Sequence, residues 1–214
     1  QDFVNNLSGL DGSLEGLMYK RDSSRKAPHN AYTTGEGIVA GIQSKGYETK
    51  HASDYTGHYK FNEDDSTQIE LTNGRDAAVV APGYLVNKPW FVYDSETGLY
   101  KRFQNGEAQT DGNNGEQVAV KNVIIQICGW SRMSNDDEYL DMETMAGGNG
   151  YYITNGKAIP VTWSKDSLQA PTRYFDADGN EIVLNQGKTW VCVTEDTYAD
   201  KIAFYASEEE YANR

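Results

Sequence analysis

The chain is short of cysteine and of positive charge, and it lacks any long apolar run. Its two cysteines, Cys128 and Cys192, belong to no CxxC, HExxH or Cys/His cluster, so a structural zinc site is not expected. Each sits in an apolar stretch, "VIIQICGW" and "TWVCVTE", and reads as a small buried residue on a strand; spacing alone does not decide whether the two pair as a disulfide. No stretch approaches the roughly 18 apolar residues of a membrane span. The opening "QDFVNNLSGL" has neither the basic region nor the apolar core of a signal peptide. Basic residues number 19 against 32 acidic ones, for a formal net charge of -13. A surface of that sign repels phosphate backbones, which argues against nucleic acid as a partner, and it disfavours direct contact with an anionic membrane.

What is present points to turn-rich β structure. Apolar content is only 38 %, but 15 Tyr supply rings that serve a core and a wet surface at once, and 21 Gly supply turns. With 214 residues there is enough chain for one large domain or two small ones. In the first sixty residues, "AYTTGEGIVAGIQSKGY" predicts a helix from about residue 34 to 45. Thr33 and Glu36 have capping-box spacing, Ile38 and Ile42 share a face, and Gly46 stands where a C-terminal cap belongs. A second short helix is expected within residues 2–20. From about residue 59 the rhythm changes to short alternating runs between turn signals. "QIELTNG", "AAVVAPGY" and "WFVYDSETGLYKRFQNG" read as strands, the last as a hairpin turning at Ser95–Gly98. "QVAVKNVIIQICGW" reads as a strand buried on both faces. "GYYITNGKAIPVTW" reads as a hairpin on Asn155-Gly156. Further turns are expected at Asp178-Gly179 and at Asn185–Gly187. The acidic stretch at 134–150 is expected to interrupt the sheet as a long loop, and "ASEEEYANR" to form a short terminal helix or fray.

Several blocks resemble one family, the YerB-like bacterial lipoproteins, which carry a domain of unknown function. They are "RDSSRKAPHNAYT", "YDSETGLYKRFQNGEAQTD", "AVKNVIIQICGW", "GGNGYYITNGKAIPVTWSKDS" and "PTRYFDADGNEIVLNQGKTWV", in the family's order. The resemblance implies an exported protein held by a lipid anchor on the outer face of a Gram-positive-type cell membrane. It also implies a mixed α/β N-terminal domain followed by a β-rich C-terminal one. Family members carry a longer segment ahead of the first block, so the resemblance implies the C-terminal portion of a longer protein, with the anchor on the upstream segment. The expected fold is therefore α+β. Residues 1–58 are read as the helical remnant of an N-terminal α/β domain, and 59–214 as an antiparallel β-rich sandwich or barrel-like domain.

Candidate site residues follow from chemistry. In "RDSSRKAPHN", Arg21, Arg25 and Lys26 could hold an anion, His29 could act as acid or base near neutral pH, Asp22 could orient a basic partner, and Asn30 could position the loop. The plainer reading is that the arginines pair with some of the many carboxylates while His29 and Asn30 tie the loop down. Trp90, Trp130, Trp163 and Trp190, with Tyr151 and Tyr152, are candidates for a sugar or peptide platform; Tyr151, Tyr152 and Trp163 form the expected aromatic surface, against core packing as the plainer reading. The carboxylates Asp136, Asp137, Glu138, Asp141 and Glu143 match no EF-hand spacing, and "DADGNE" places its glycine fourth rather than sixth, so no metal is expected. No cofactor is implied. The expected function is non-catalytic binding of a cell-wall glycan, a peptide or an envelope protein. Its rival is an envelope enzyme acting on an anionic phosphate- or glycan-containing substrate through the Arg/Lys/His loop.

Overall fold

A computed structural model of the chain describes residues 7, 13–53, 55–64, 66–133 and 136–214. It divides into two compact units, 1–56 and 57–214.

The first unit pairs Lys20–Arg21 with Ala31–Tyr32 in an antiparallel ladder and continues into the helix Gly35–Lys45. The helix starts one residue later than the capping-box spacing predicts. Thr34, not Thr33, is the N-cap, and its hydroxyl accepts the Gly37 N–H at 3.1 Å. Glu36 thus falls one position too early to close a box. At the other end Gly46 takes the left-handed conformation, φ 67°, and its N–H bonds back to the last turn, as expected. The packing face also differs from the expected Ile38/Ile42 stripe. Gly37 and Gly41 are the buried positions, while Ile38 and Val39 are exposed. Met18 explains this: a Cβ on Gly37 would lie 2.8 Å from its carbonyl oxygen, and one on Gly41 would lie 2.8 Å from its sulfur. The helix expected within residues 2–20 falls largely outside the described residues. Over 13–20 the chain forms turns, a Glu15–Tyr19 bridge and the start of the ladder.

The second unit is built on two six-stranded sheets. One runs Arg173–Phe175, Lys157–Ser164, Gly147–Thr154, Asn122–Cys128, Thr189–Glu195, with Arg75–Asp76 paired beside Lys157 and Ala158. The other runs Ile202–Tyr205, Val79–Pro82, Trp90–Asp94, Leu99–Gln104, Glu107–Ala108, with Ala119–Val120 against Tyr100 and Lys101. Val123, Ile125, Ile153 and Cys192 of the first sheet pack against Val80, Phe91, Tyr100 and Phe204 of the second in one core. Ile124, Cys128, Tyr152, Trp163 and Tyr174 form a second core on the opposite face of the first sheet. Odd and even residues of Asn122–Cys128 therefore enter different cores, which is why its sequence is a continuous apolar run. Burying Ile124 and Ile125 completely contributes on the order of 2 kcal/mol each. The same alternation separates the cysteines: Cys192 pairs in register with Ile125, not Cys128, and both thiols are free and buried.

The α+β, β-rich sandwich reading is thus correct, with one refinement. The sheets are not purely antiparallel, because Asn122–Cys128 runs parallel to Thr189–Glu195, and Val183–Leu184 runs parallel to Lys60–Phe61. The expected turns form at Ser95–Gly98 and at Asn155-Gly156, whose φ values of 46° and 75° match the twist of the flanking strands. Asp178-Gly179 turns as expected, and so does the Asn185–Gly187 stretch. Glu208–Ala212 is a short helix capped by the Ser207 hydroxyl, which accepts the Glu210 N–H. Gly150 allows the strand Gly147–Thr154 to lie close, since a Cβ there would sit 2.2 Å from the Ile125 carbonyl oxygen.

Two expectations are corrected. Residues 136–142 are not part of a long loop: they form a strand antiparallel to Trp130–Met133, and Gly147 already begins the next strand. "QIELTNG" is irregular rather than a strand, because side-chain amides take the place of a ladder. The buried Asn185 accepts the Ile69 N–H through Oδ1 at 2.8 Å and donates from Nδ2 to the Ile69 carbonyl at 3.0 Å; Asn155 Nδ2 donates to that carbonyl at 3.1 Å. Asn185 also donates to Thr154 Oγ1 at 3.0 Å, and Asn122 Nδ2 donates to the Asn185 carbonyl at 2.8 Å. The Tyr152 hydroxyl closes the network by donating to Asn122 Oδ1 at 3.0 Å.

Candidate functional site

The basic stretch 21–30 is the loop of the small ladder in the first unit. Its stiffness comes from Asn30, the one buried member, whose Nδ2 donates to the carbonyls of Asp22 at 3.1 Å and Arg25 at 3.2 Å. Asp22 accepts from the Ser24 hydroxyl at 2.6 Å and the Ser24 N–H at 2.8 Å; these bonds hold its carboxyl below the usual range. Arg21 donates to Glu15 Oε1 at 2.7 Å and to Asn30 Oδ1 at 3.1 Å, and Arg25 donates to the Tyr32 hydroxyl. Lys26 and His29 are exposed. The six candidates thus share one loop, in which the Asp22 carboxylate is occupied by Ser24, and Arg21 and Asn30 by each other, by Glu15 and by backbone carbonyls. Arg25, Lys26 and His29 line none of the hollows described below.

The aromatic surface expected from Tyr151, Tyr152 and Trp163 does not form. Tyr152 is 1 % and Trp163 2 % exposed, and Trp163 Nε1 donates to the Ile127 carbonyl at 3.0 Å. Alternation along the strands turns these two rings into the second core. Tyr151 is half-buried edge-on against Phe204, 4.9 Å between centroids. Of the other tryptophans, Trp190 lies beneath the Arg102 guanidinium at 4.4 Å, and Trp130 donates to Thr197 Oγ1 at 3.1 Å. In the acidic segment the side chains of Asp136, Asp137 and Glu138 lie outside the description, while Asp141 and Glu143 are exposed. Asp176 of "DADGNE" accepts the backbone N–H groups of Asp178 and Asn180, as a turn carboxylate does. Among the described residues no cluster of three or more His, Cys, Asp or Glu is placed to hold a metal ion.

The accessible aromatic face is elsewhere, around Trp90. That residue opens the strand Trp90–Asp94 and stacks on Phe103 across the ladder at 4.9 Å, with the rings 10° from parallel. Tyr211 of the C-terminal helix lies 5.7 Å from Trp90, and Tyr205 meets Tyr211 edge-on at 5.3 Å. The Arg214 guanidinium covers the Tyr211 ring at 3.5 Å. Two hollows adjoin here, of about 360 and 180 Å³, sharing Leu85, Lys88, Tyr211 and Arg214. Trp90 and Asn105 complete the larger, and Tyr205 and Lys201 line the smaller. One lip is the connection 83–89, tied to the turn at Asn105-Gly106 by the Asn105 N–H donating to the Asn87 carbonyl at 2.8 Å. Asn87 and Lys88 both have positive φ, 59° and 36°, so two consecutive non-glycine residues hold the left-handed region at the mouth of the groove. Sequence reasoning weighed Trp90 but missed Lys88, Lys201, Tyr205, Tyr211 and Arg214, which come from four separate segments. The one legible signal was "NKPW", where a turn-forming Asn precedes a Pro and a ring.

The fold and this groove define a β-sandwich module with a ring-lined surface site. The chain belongs to the DUF3048 family: the model described as "Protein of unknown function (DUF3048) C-terminal domain" matches residues 79–191, which include Trp90 and most strands of the two facing sheets. It is 27 % identical over 199 residues to "Putative lipoprotein YerB" of Bacillus subtilis (strain 168), covering 92 % of this chain and 56 % of that protein. A crystal structure of the Bacillus subtilis YerB protein superposes with a TM-score of 0.73 at 24 % identity, covering 92 % of this chain and 62 % of that one. The resemblance read from the sequence is therefore correct, and the solved structure shows the same fold. The chain spans little more than half the length of the curated relative.

Proposed function

We propose that this chain is the non-catalytic binding part of a lipid-anchored protein on the outer face of the cell membrane, and that it holds a cell-surface glycan in the groove at Trp90. The anchor belongs to a segment of the longer protein, in line with the name of the Bacillus relative. In the same reading, residues 1–58 are the C-terminal part of an N-terminal α/β domain.

The observation that carries the proposal is the half-buried pair Trp90 and Tyr211 in an open hollow. The Trp90 indole presents an apolar surface on which the C–H face of a pyranose can pack, with Tyr211, covered by the Arg214 guanidinium, beside it, while Asn87 and Asn105 supply amides for hydroxyl groups. Binding rather than turnover is favoured because, among the described residues, no Asp, Glu, His or Cys side chain lines the larger hollow. Calorimetric titration with soluble peptidoglycan fragments and oligosaccharides tests the reading. Trp90→Ala is expected to abolish binding with the fold intact; retained affinity in that variant contradicts the proposal.

A further inference from the structure

The charge of the groove goes further than its rings. In a chain with 32 acidic and 19 basic residues, the two adjoining hollows are lined by Lys88, Lys201 and Arg214 and, among the described residues, by no Asp or Glu. Two other hollows of the same unit are lined by Glu195 in one case, and by Asp111 and Glu116 beside Lys188 in the other. Glu210 of the C-terminal helix is engaged by the backbone, accepting the Ala206 N–H at 2.7 Å. Lys88 makes no ion pair among the described residues, and Lys201 meets only its exposed neighbour Asp200 at 3.2 Å. The backbone of Lys88 is held at a positive φ, which a glycine would adopt without strain, so a cation stands at a position where local conformation disfavours it.

Resting on the glycan reading, we propose that the ligand is an anionic saccharide: a sugar ring packs on Trp90, beside the Arg214-covered Tyr211, while its phosphate or carboxylate group is held by Lys88 and Arg214. Arg214 is suited to this because stacking on Tyr211 and a hydrogen bond from Nη1 to the Tyr211 carbonyl at 2.5 Å fix the guanidinium before binding, leaving the N–H groups of Nε and Nη2 to meet an oxyanion. Lys88 acts as a point charge from the opposite lip, and Lys201 extends the positive surface into the smaller hollow for a second anionic unit. The overall negative charge makes this selection local. A polyanion is repelled by most of the surface and accepted only along this Lys- and Arg-lined groove.

The test compares maltotriose, a phosphorylated maltotriose, trigalacturonate and inorganic phosphate by calorimetry at low and high salt. At least one charged trisaccharide is expected to bind tenfold or more tightly than maltotriose, and to lose that advantage as salt rises from about 50 to 500 mM. Which one binds better identifies phosphate or carboxylate as the anion. Lys88→Gln and Arg214→Gln should each weaken the charged trisaccharide several-fold more than they weaken maltotriose; Trp90→Ala should weaken every saccharide. Inorganic phosphate alone should bind at least tenfold more weakly than the better charged trisaccharide. Equal affinity for charged and neutral trisaccharides overturns anion selection while leaving the glycan reading intact. Phosphate binding as tightly as the trisaccharides overturns the two-part site in favour of a simple anion site. No binding of any saccharide overturns both readings. Circular dichroism of each variant separates lost binding from lost folding.

Discussion

Replacing Asn185 with Ala removes a side chain that does the work of a strand. Its amide accepts one hydrogen bond from Ile69 and donates two, to the Ile69 carbonyl and Thr154 Oγ1, all within 2.8–3.0 Å. Each is worth about 1 kcal/mol net, so the lost bonds account for about 3 kcal/mol. The alanine also leaves Thr154 Oγ1, on a fully buried residue, without its amide donor, although that hydroxyl still donates to the Lys121 carbonyl at 3.2 Å. A destabilisation of about 3–4 kcal/mol corresponds to a drop in Tm of roughly 6–16 °C for a chain of this size. Urea unfolding followed by tryptophan fluorescence measures it, and hydrogen exchange should show the Ile69 amide losing protection first. Asn185→Asp keeps the acceptor for Ile69 but replaces two donors with buried negative charge, so it should be at least as destabilising at pH 7 and partly recover in acid as the carboxyl is protonated. A loss under about 0.5 kcal/mol for Asn185→Ala would refute the claim that this amide holds the 68–74 segment.

Further outcomes follow from single sites. Arg102 is 6 % exposed, its Nε has no acceptor among the described residues and its guanidinium rests on Trp190 and Phe91; burial pushes its pKa down. Arg102→Met keeps most of the packing and removes the charge, so it should be neutral or stabilising by up to about 2 kcal/mol, whereas Arg102→Ala should cost about 2 kcal/mol or more; chemical denaturation decides, and a large loss in the Met variant would make the cation–π contacts dominant. Asp94 is held down from 3.8 to about 2, first by the Lys101 ammonium at 2.6 Å and then by the Glu96 N–H. Because the folded value lies below the unfolded one, this stabilisation is present above about pH 4 and is lost as pH falls toward 2, so the Tm gap between wild type and Asp94→Asn should close over that window. Lys88→Gly relieves a positive φ and should raise stability by about 1 kcal/mol in thermal unfolding while weakening the charged trisaccharide; a destabilised variant would contradict the strain argument. Gly150→Ala drives a Cβ into the Ile125 carbonyl and should cost about 2 kcal/mol or more, read as a fall in the urea midpoint.

Much of the fold was legible because its causes are local. Alternation, the Asn155-Gly156 pair and the unbroken run at Val123–Cys128 each fix an element by backbone chemistry that a short window contains. The failures share the opposite property. Ile69 is held irregular by Asn185, 116 residues away, and no window around "QIELTNG" contains that partner. The helix face was misjudged because Met18, well upstream, selects glycines over isoleucines. Tyr152 and Trp163 became core because a second layer covers the outer face of the sheet, which depends on how distant segments return. The groove is the extreme case. Lys88, Trp90, Tyr205 and Arg214 converge only after the strand Ile202–Tyr205 pairs with Val79–Pro82 and carries the C-terminal helix beside the first hairpin.

The most direct measurement uses the four tryptophans as position markers. With 5-fluorotryptophan incorporated and each resonance assigned by Trp→Phe substitution, a saccharide that binds should move the Trp90 fluorine signal and leave that of the buried Trp163 in place. A saturable shift at Trp90 is the result this account predicts. Saturable binding that leaves Trp90 unmoved, or moves Trp130 instead, would place the ligand elsewhere and contradict it.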